Sequence, residues 1–429
     1  MKLLTTVIRG LLTTALIIIV LESGSAAFHD GGVGSCVGCH SIHGTDILLI
    51  TGPSLLREQD ASSTCLFCHQ QPGDSGPTDY RVSTPFSELP QGMPPKQLTP
   101  GGDFGWLKKT YSWVPGPSLP PISSLGERHG HNIVAADFLY DADSTHSAAP
   151  GGTYPSDGLS CISCHDPHGK YRRNFDGSIS TTWSPIIGSG SFASSPAPEA
   201  NKAVGVYRLL SGKGYLPRSL TGGFAFVNDP PAAVAPDTYN RSEAATQTRV
   251  AYGAGMSEWC RNCHPDMHTA VYPGKTNLLH PAGNGAGLGS VKAGNYNAYI
   301  KTGDLTGLAN TSYLSLVPFE EGTTDYAALK AHAKTDDSWL VGPDTTAQVM
   351  CLTCHRAHAS GWDGIMRWNA ETSLIVNNGS YAQEGQPEQP YGQGRTAAEA
   401  LRAYYDRPAT KFAPAQDTLC NKCHVGVYP

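Results

Sequence analysis

The chain is short of the residues that usually build a core or a solvated surface. Hydrophobic residues make up 39% and charged residues 15% of its 429 positions, both below ordinary usage. By contrast 48 Gly and 32 Pro interrupt whatever regular structure there is. Long helices or strands throughout are thereby excluded, and the low charge argues against a disordered polyampholyte. Lysine and arginine runs are missing and the formal net charge is -6, so the electrostatic footprint of a nucleic-acid binder is absent and no nucleic-acid partner is expected. Beyond the first 27 residues no apolar stretch approaches the length of a membrane span. Something other than side chains is therefore expected to fill the interior.

What is present begins with an address. Lys2 and Arg9 supply a positive n-region, Leu11 to Leu21 is an apolar run too short to be a comfortable membrane span, and Ser25-Ala26-Ala27 offers the small residues of a cleavage site. Residues 1–27 are expected to be a signal peptide and 28–429 a single exported unit, elongated and without independent domains. The leader holds no cysteine, so it is not a lipoprotein signal.

All 12 cysteines fall in pairs, each followed at once by histidine. The pairs are Cys36 and Cys39 with His40, Cys65 and Cys68 with His69, and Cys161 and Cys164 with His165. Cys260 and Cys263 with His264, Cys351 and Cys354 with His355, and Cys420 and Cys423 with His424 complete the set. C-x-x-C-H is the attachment signature of c-type haem. Two thiols so spaced add to the two vinyl groups of one porphyrin, and the adjacent imidazole reaches the iron from the same side. Disulfides, zinc sites and redox C-x-x-C pairs are the rival readings, and none of them requires the histidine. With 16 His in the chain, chance would put one at that position about 4% of the time, and six of six is on the order of one in a few hundred million. Six covalently bound haem c groups are the expected cofactors. Attachment of this kind takes place outside the cytoplasm, which agrees with the leader. The porphyrins then take the place of a side-chain core, and the 19 Tyr among the aromatics suit packing on their edges.

Ten histidines remain for the distal positions: His29, His43, His129, His131, His146, His168, His268, His280, His332 and His358. That is enough for every iron to be bis-His, with methionine, at 6 residues, a poor rival. His43, His168 and His358 lie three residues past a proximal histidine and His268 lies four past one. A side chain so placed cannot reach the far face of the same porphyrin, but it can reach a different haem close by. The pattern implies closely spaced haems. His131, His280 and His332 come from segments well away from any motif, as ordinary distal ligands do, and His29 is a further candidate beside the new N-terminus. His129 and His131 are too close for both to serve, and His146 sits in a polar loop. No motif replaces its proximal histidine with lysine, the change that opens a catalytic iron, so electron transfer rather than enzymatic catalysis is expected.

The unequal spacing of the motifs is not a strict repeat. Residues 113–128 and 184–200 read as surface loops, and weak helical patterns occur at 324–334 and 396–405. The fold class expected is an irregular multihaem c-type cytochrome, mostly loops with short helices and few short strands wrapped around a haem chain.

Longer stretches carry a resemblance. Thr99-Pro-Gly-Gly-Asp-Phe-Gly-Trp106, Gly130-His-Asn-Ile-Val134, Cys164-His-Asp-Pro-His-Gly-Lys-Tyr-Arg-Arg173 and Ser257-Glu-Trp-Cys260 are four of them. His280-Pro-Ala-Gly-Asn-Gly285, Leu314-Ser-Leu-Val-Pro-Phe-Glu-Glu321 and Cys351-Leu-Thr-Cys-His-Arg-Ala-His-Ala-Ser-Gly361 are the others. Over nearly all of residues 28–429 the chain resembles the filament-forming outer-surface hexahaem c-type cytochromes of metal-reducing bacteria. The resemblance implies an extracellular protein at the outer cell surface that polymerises head to tail as a homopolymer, with bis-His haems stacked continuously across subunits. It further implies that His43 crosses the subunit boundary to ligate the neighbour's fifth haem, the one held by Cys351, Cys354 and His355. Electrons would enter from other c-type cytochromes and leave to metal oxides, electrodes or other cells. The competing functions are a multihaem terminal reductase with one open haem and a monomeric periplasmic electron carrier.

Overall fold

The computed structural model describes residues 36–41, 55–77, 80–116, 118–182, 184–188, 192–237, 242–267, 280–382 and 392–425. The expected signal peptide, residues 1–27, and the candidate ligands His29, His43 and His268 lie outside the described residues.

Regular structure is sparse, as the glycine and proline content requires. Eight helices are described: α1 (Cys36–Cys39), α2 (Ala61–His69), α3 (Cys161–Cys164), α4 (Met256–Cys260), α5 (Gly289–Ala298), α6 (Tyr326–His332), α7 (Cys351–Cys354) and α8 (Ala397–Ala403). Three of them, α1, α3 and α7, are no more than a C-x-x-C turn, in which residues three apart lie on one helix face and so present both thiols to the same side. After each of the last two the histidine leaves the helix in extended conformation, His165 at φ -105° and His355 at φ -107°. The residue before the second cysteine helps to shape these turns: Ser163 Oγ accepts from the Ser160 N–H at 2.9 Å and Thr353 Oγ1 from the Met350 N–H at 3.0 Å. Helices α6 and α8 fall within the two periodic stretches, each starting at a side-chain cap, Asp325 and Thr396 respectively.

The strands form four small antiparallel sheets among the described residues. One of them corrects an expectation. Overlapping residues 113–128, read as loop, Tyr111–Trp113 pairs with Ile122–Ser124, and a 3-10 turn over Gly126–His129 follows. Proline and glycine dominate that stretch and mask two strands of three residues each, which the Ser112 to Ser123 hydroxyl contact at 2.7 Å helps to hold in register.

Apolar packing is divided among several clusters. The largest gathers Trp106, Tyr111, Trp362, Trp368, Tyr381 and Tyr404 around α8. Another surrounds the second and third motifs, with Leu66, Phe104, Ile133 and Tyr140. Buried arginines serve as core residues here: Arg395 donates from Nε to the Gly361 carbonyl at 2.6 Å and lies 4.3 Å above the Tyr111 ring. Irregular chain, short helices and two- or three-stranded sheets are thus the architecture.

Candidate functional site

The six C-x-x-C-H segments sit in the order of the sequence. Burial raises the Cys39 thiol, and Cys68 of the second motif adds to it. The Cys65 thiol donates to Cys161, which pushes Cys65 up and pulls Cys161 down. Burial raises Cys263, with Cys164 adding. Cys260 donates to Cys351 and pulls that thiol down to about 7. Burial raises Cys354 to about 12, with Cys420 adding. Each motif therefore neighbours the next, from first to last.

Two of these junctions are built alike. The Ser62 hydroxyl in α2 accepts from the Cys161 N–H at the start of α3, at 3.1 Å, and the Ser257 hydroxyl in α4 accepts from the Cys351 N–H at the start of α7, at 3.0 Å. Each serine stands three residues before the first cysteine of its own motif and satisfies an orphan donor of a later one. Both were missed from sequence, although the shared pattern S-x-x-C-x-x-C-H was there to be read.

The histidines pair across long stretches of chain. Ring centroids are 6.4 Å apart for His40 and His168, 6.3 Å for His165 and His358, 6.1 Å for His131 and His264, and 6.0 Å for His280 and His424. Two imidazoles bound on opposite sides of one metal, with metal–nitrogen bonds of about 2 Å, have their centroids about 6 Å apart. In every pair one ring belongs to a C-x-x-C-H motif and the other to a distal candidate. Two of the distal candidates are the histidines three past a proximal one: His168 of the third motif faces His40 of the first, and His358 of the fifth faces His165 of the third.

Backbone carbonyls orient the rings. Nδ1 lies 2.6 Å from the Tyr80 carbonyl in His69, 2.7 Å from Arg208 in His165, 2.8 Å from Pro150 in His264 and 2.7 Å from Gly364 in His355. Among the distal candidates, His131 Nδ1 meets the Ala357 carbonyl at 2.8 Å and His280 Nδ1 the Pro281 carbonyl at 2.9 Å. An Nδ1–H bound to a carbonyl fixes the tautomer that offers Nε2 to a metal. His424 differs, its Nδ1 lying 3.3 Å from the Lys292 ammonium. Burial lowers His131 to about 4, with His264 adding, and lowers His358 to about 3, with His165 adding. These rings are neutral at physiological pH, the form that can ligate.

The remaining histidines fare differently. His129 is fully buried, with Nε2 at 2.6 Å from Ser124 Oγ and Nδ1 at 3.1 Å from the Trp106 carbonyl, a packing role two residues from His131, which faces His264. His146 is exposed and bound to Asp143 and Thr145. His332 stacks on Trp339 at 4.4 Å, with Nδ1 at 2.6 Å from Glu321 Oε2, and faces no proximal imidazole among the described residues. Nor does a second imidazole face His355 among the described residues. The residues present fit haem c: each thiol pair is followed by an imidazole, four of these rings are held by a backbone carbonyl, and a second imidazole stands opposite in four cases. Among the described residues no helix is long and apolar enough to cross a membrane.

No protein-family model matches the chain. C-type cytochrome OmcS of Geobacter sulfurreducens is 56% identical over 411 residues, 93% of this chain and 94% of that one. Two solved structures superpose with a TM-score of 0.86 each, covering 93% of this chain and 100% of theirs. They are the Outer Membrane Cytochrome S Filament from Geobacter sulfurreducens, 54% identical, and the cryo-EM structure of the OmcS nanowires from the same organism, 55% identical.

Proposed function

The chain belongs to the family of C-type cytochrome OmcS, and from that premise we propose that it holds six haems in one row and conducts electrons outside the cell along a filament of its own copies. As a c-type cytochrome it carries haem c covalently; histidine pairs such as His40 with His168 would hold the iron, and the haem would supply reversible electron transfer with no open site for a substrate. The observation that carries the reading is the set of four facing imidazole pairs, each at the separation one iron needs, on motifs that neighbour one another in sequence order.

The chain's own residues do the positioning. Cys36, Cys39, Cys65, Cys68, Cys161, Cys164, Cys260, Cys263, Cys351, Cys354, Cys420 and Cys423 tether the porphyrins, and carbonyls such as those of Arg208 and Pro150 hold the proximal rings in the ligating tautomer. His168, His358, His131 and His280 are the distal ligands of the first, third, fourth and sixth haems. The second and fifth draw on His29, His43, His268 and His332.

A step rule supports the assignment of His43. The third motif's extra histidine serves the first motif, and the fifth motif's serves the third. The same step backward from the first motif leaves the subunit and arrives at the fifth motif of the preceding copy, at His355. Such a contact is heterologous and open, the symmetry that makes filaments. Electrons would come from other c-type cytochromes and leave to metal oxides, electrodes or cells, from the outer surface.

His43→Ala tests this. The variant is expected to keep six haems by pyridine haemochrome, to show one high-spin haem per subunit, and to lose long filaments under the electron microscope. Long filaments would reject the inter-subunit ligand, and fewer than six haems in the unaltered protein would reject the haem count. High-spin signal in intact wild-type filaments would favour a reductase with an open haem instead.

A further inference from the structure

Glu320 is a carboxyl group with no place in the haem scaffold. It is 0% exposed. Its Oε1 accepts from the Met256 N–H at 2.6 Å, at the start of α4, while Oε2 has no hydrogen-bond partner among the described residues. The backbone of Glu320 exchanges both hydrogen bonds with Gln348, at 2.9 and 2.8 Å. Residues directly opposed in such a bridge carry their side chains on one face. The Gln348 side-chain Oε1 is also buried and without a partner. Two acceptors on one face are both satisfied when the carboxyl carries a proton and donates it across.

The surroundings agree. From α4 the charged neighbour is Glu258, from the strand Ala251–Ala254 the bridge partner is Tyr252, from the segment before α7 comes Gln348, and at the start of α7 stands Cys351, whose sulfur is an uncharged thioether once haem is attached. The nearby cation Arg249 is taken by Glu321, at 2.7 Å, which also holds His332. Among the described residues no cation therefore compensates a charge on Glu320, and burial pushes its carboxyl up to about 8, against the downward pull of the Met256 N–H and with Glu258 adding upward. The position is central to the row. Met256 precedes Ser257, which caps Cys351, so Glu320 lies between the fourth and fifth motifs.

We propose that Glu320 is a proton-binding site coupled to the redox state of the fourth and fifth haem sites, a role that rests on the haem reading above. When an iron(III) there gains an electron and becomes iron(II), the Glu320 carboxylate takes one proton from water and becomes the carboxyl, leaving the local charge unchanged. Loss of the electron returns the proton. Electron occupancy of this part of the row is thus tied to pH.

The test uses the haem-loaded protein and Glu320→Gln, which keeps the acceptor for Met256 and the neutral form but cannot titrate. Spectroelectrochemical titration across neutral to mildly alkaline pH is expected to show wild-type midpoint potentials falling as pH rises, by no more than the one-proton, one-electron limit of about 59 mV per tenfold change in proton concentration. E320Q should lose that dependence, and Glu320→Asp should restore it with a shifted midpoint. Redox-difference infrared spectra of the wild type should show a protonated carboxyl band gaining on reduction. An equal pH slope in E320Q overturns the proposal. So does a wild-type spectrum without the band, the outcome expected if the Gln348 amide donates to a permanently anionic Glu320, and that measurement decides alone if the variants fail to accumulate. A haemochrome count on the same samples separates the two readings: a full count without pH dependence removes only Glu320, and a short count removes the haem row beneath it.

Discussion

At the residue scale, the glycines of Thr99-Pro-Gly-Gly show how little freedom surrounds His358, the distal ligand proposed for the third haem. The Gly101 carbonyl accepts from the His358 N–H at 2.7 Å, and a Cβ on Gly101 would lie 2.9 Å from His358 Nδ1. Gly102 is held at φ +98°, and a Cβ there would sit 1.7 Å from the Ala359 carbonyl oxygen. Gly102→Ala is therefore expected to cost at least about 1–2 kcal/mol in backbone strain alone, before the overlap with Ala359 is relieved by moving the loop that carries His358. The melting temperature should fall and a high-spin haem signal appear, whereas Gly101→Ala, pressing on a ring, should disturb the spectrum more than the melt. Unchanged melts and spectra in G102A would show that this loop does not hold His358 in place. The cysteines and histidines proposed to attach haem could be picked out in sequence because covalent attachment demands the fixed spacing C-x-x-C-H. Glu320 could not, since in Phe319-Glu320-Glu321 two adjacent acids look like a surface pair, and only the fold sends one to Arg249 and buries the other.

At the element scale, short helices survive by borrowing partners. A C-x-x-C turn of four residues makes almost no internal hydrogen bonds and would not form alone in water. The Ser62 and Ser257 hydroxyls supply what α3 and α7 lack, from the preceding motif's helix. Ser62→Ala and Ser257→Ala are each expected to cost about 1 kcal/mol in unfolding free energy, with the haem count unchanged. The two sites share no partner, so the double variant should lose the sum. A double variant that loses much less would mean the two junctions are not independent stabilising contacts. Helices with their own side-chain signals, such as α8 with Thr396 and Glu399, could be located from sequence because the cap and the periodicity coincide. The strands flanking residues 114–121 could not, because three residues of alternation carry too little pattern against a proline-rich background.

At the scale of the whole molecule, the order of the motifs in space is what spacing along the chain could not reveal, since it depends on thiol and ring contacts between distant segments. If the row is continuous, it fails at its weakest member. Replacing Cys161 and Cys164 together by Ser should remove one haem, and electron transport through the assembled protein should fall steeply, since the third site stands between the second and the fourth. Unchanged transport with five haems would exclude a single series path. The facing histidines have a further consequence, for biogenesis. His40 meets His168, His165 meets His358, and His280 meets His424, so no pair closes locally. A chain exported N-terminus first must wait for its third motif before the first pair can close, for its fifth before the third can, and for its last residues before the sixth can. Long-range closure of this kind is slow and leaves no half that folds by itself. Haem attachment must then act on a chain that is still partly open, and a protease acting on it outside the cytoplasm would meet unclosed segments until the C-terminal motif arrives and completes the last pair.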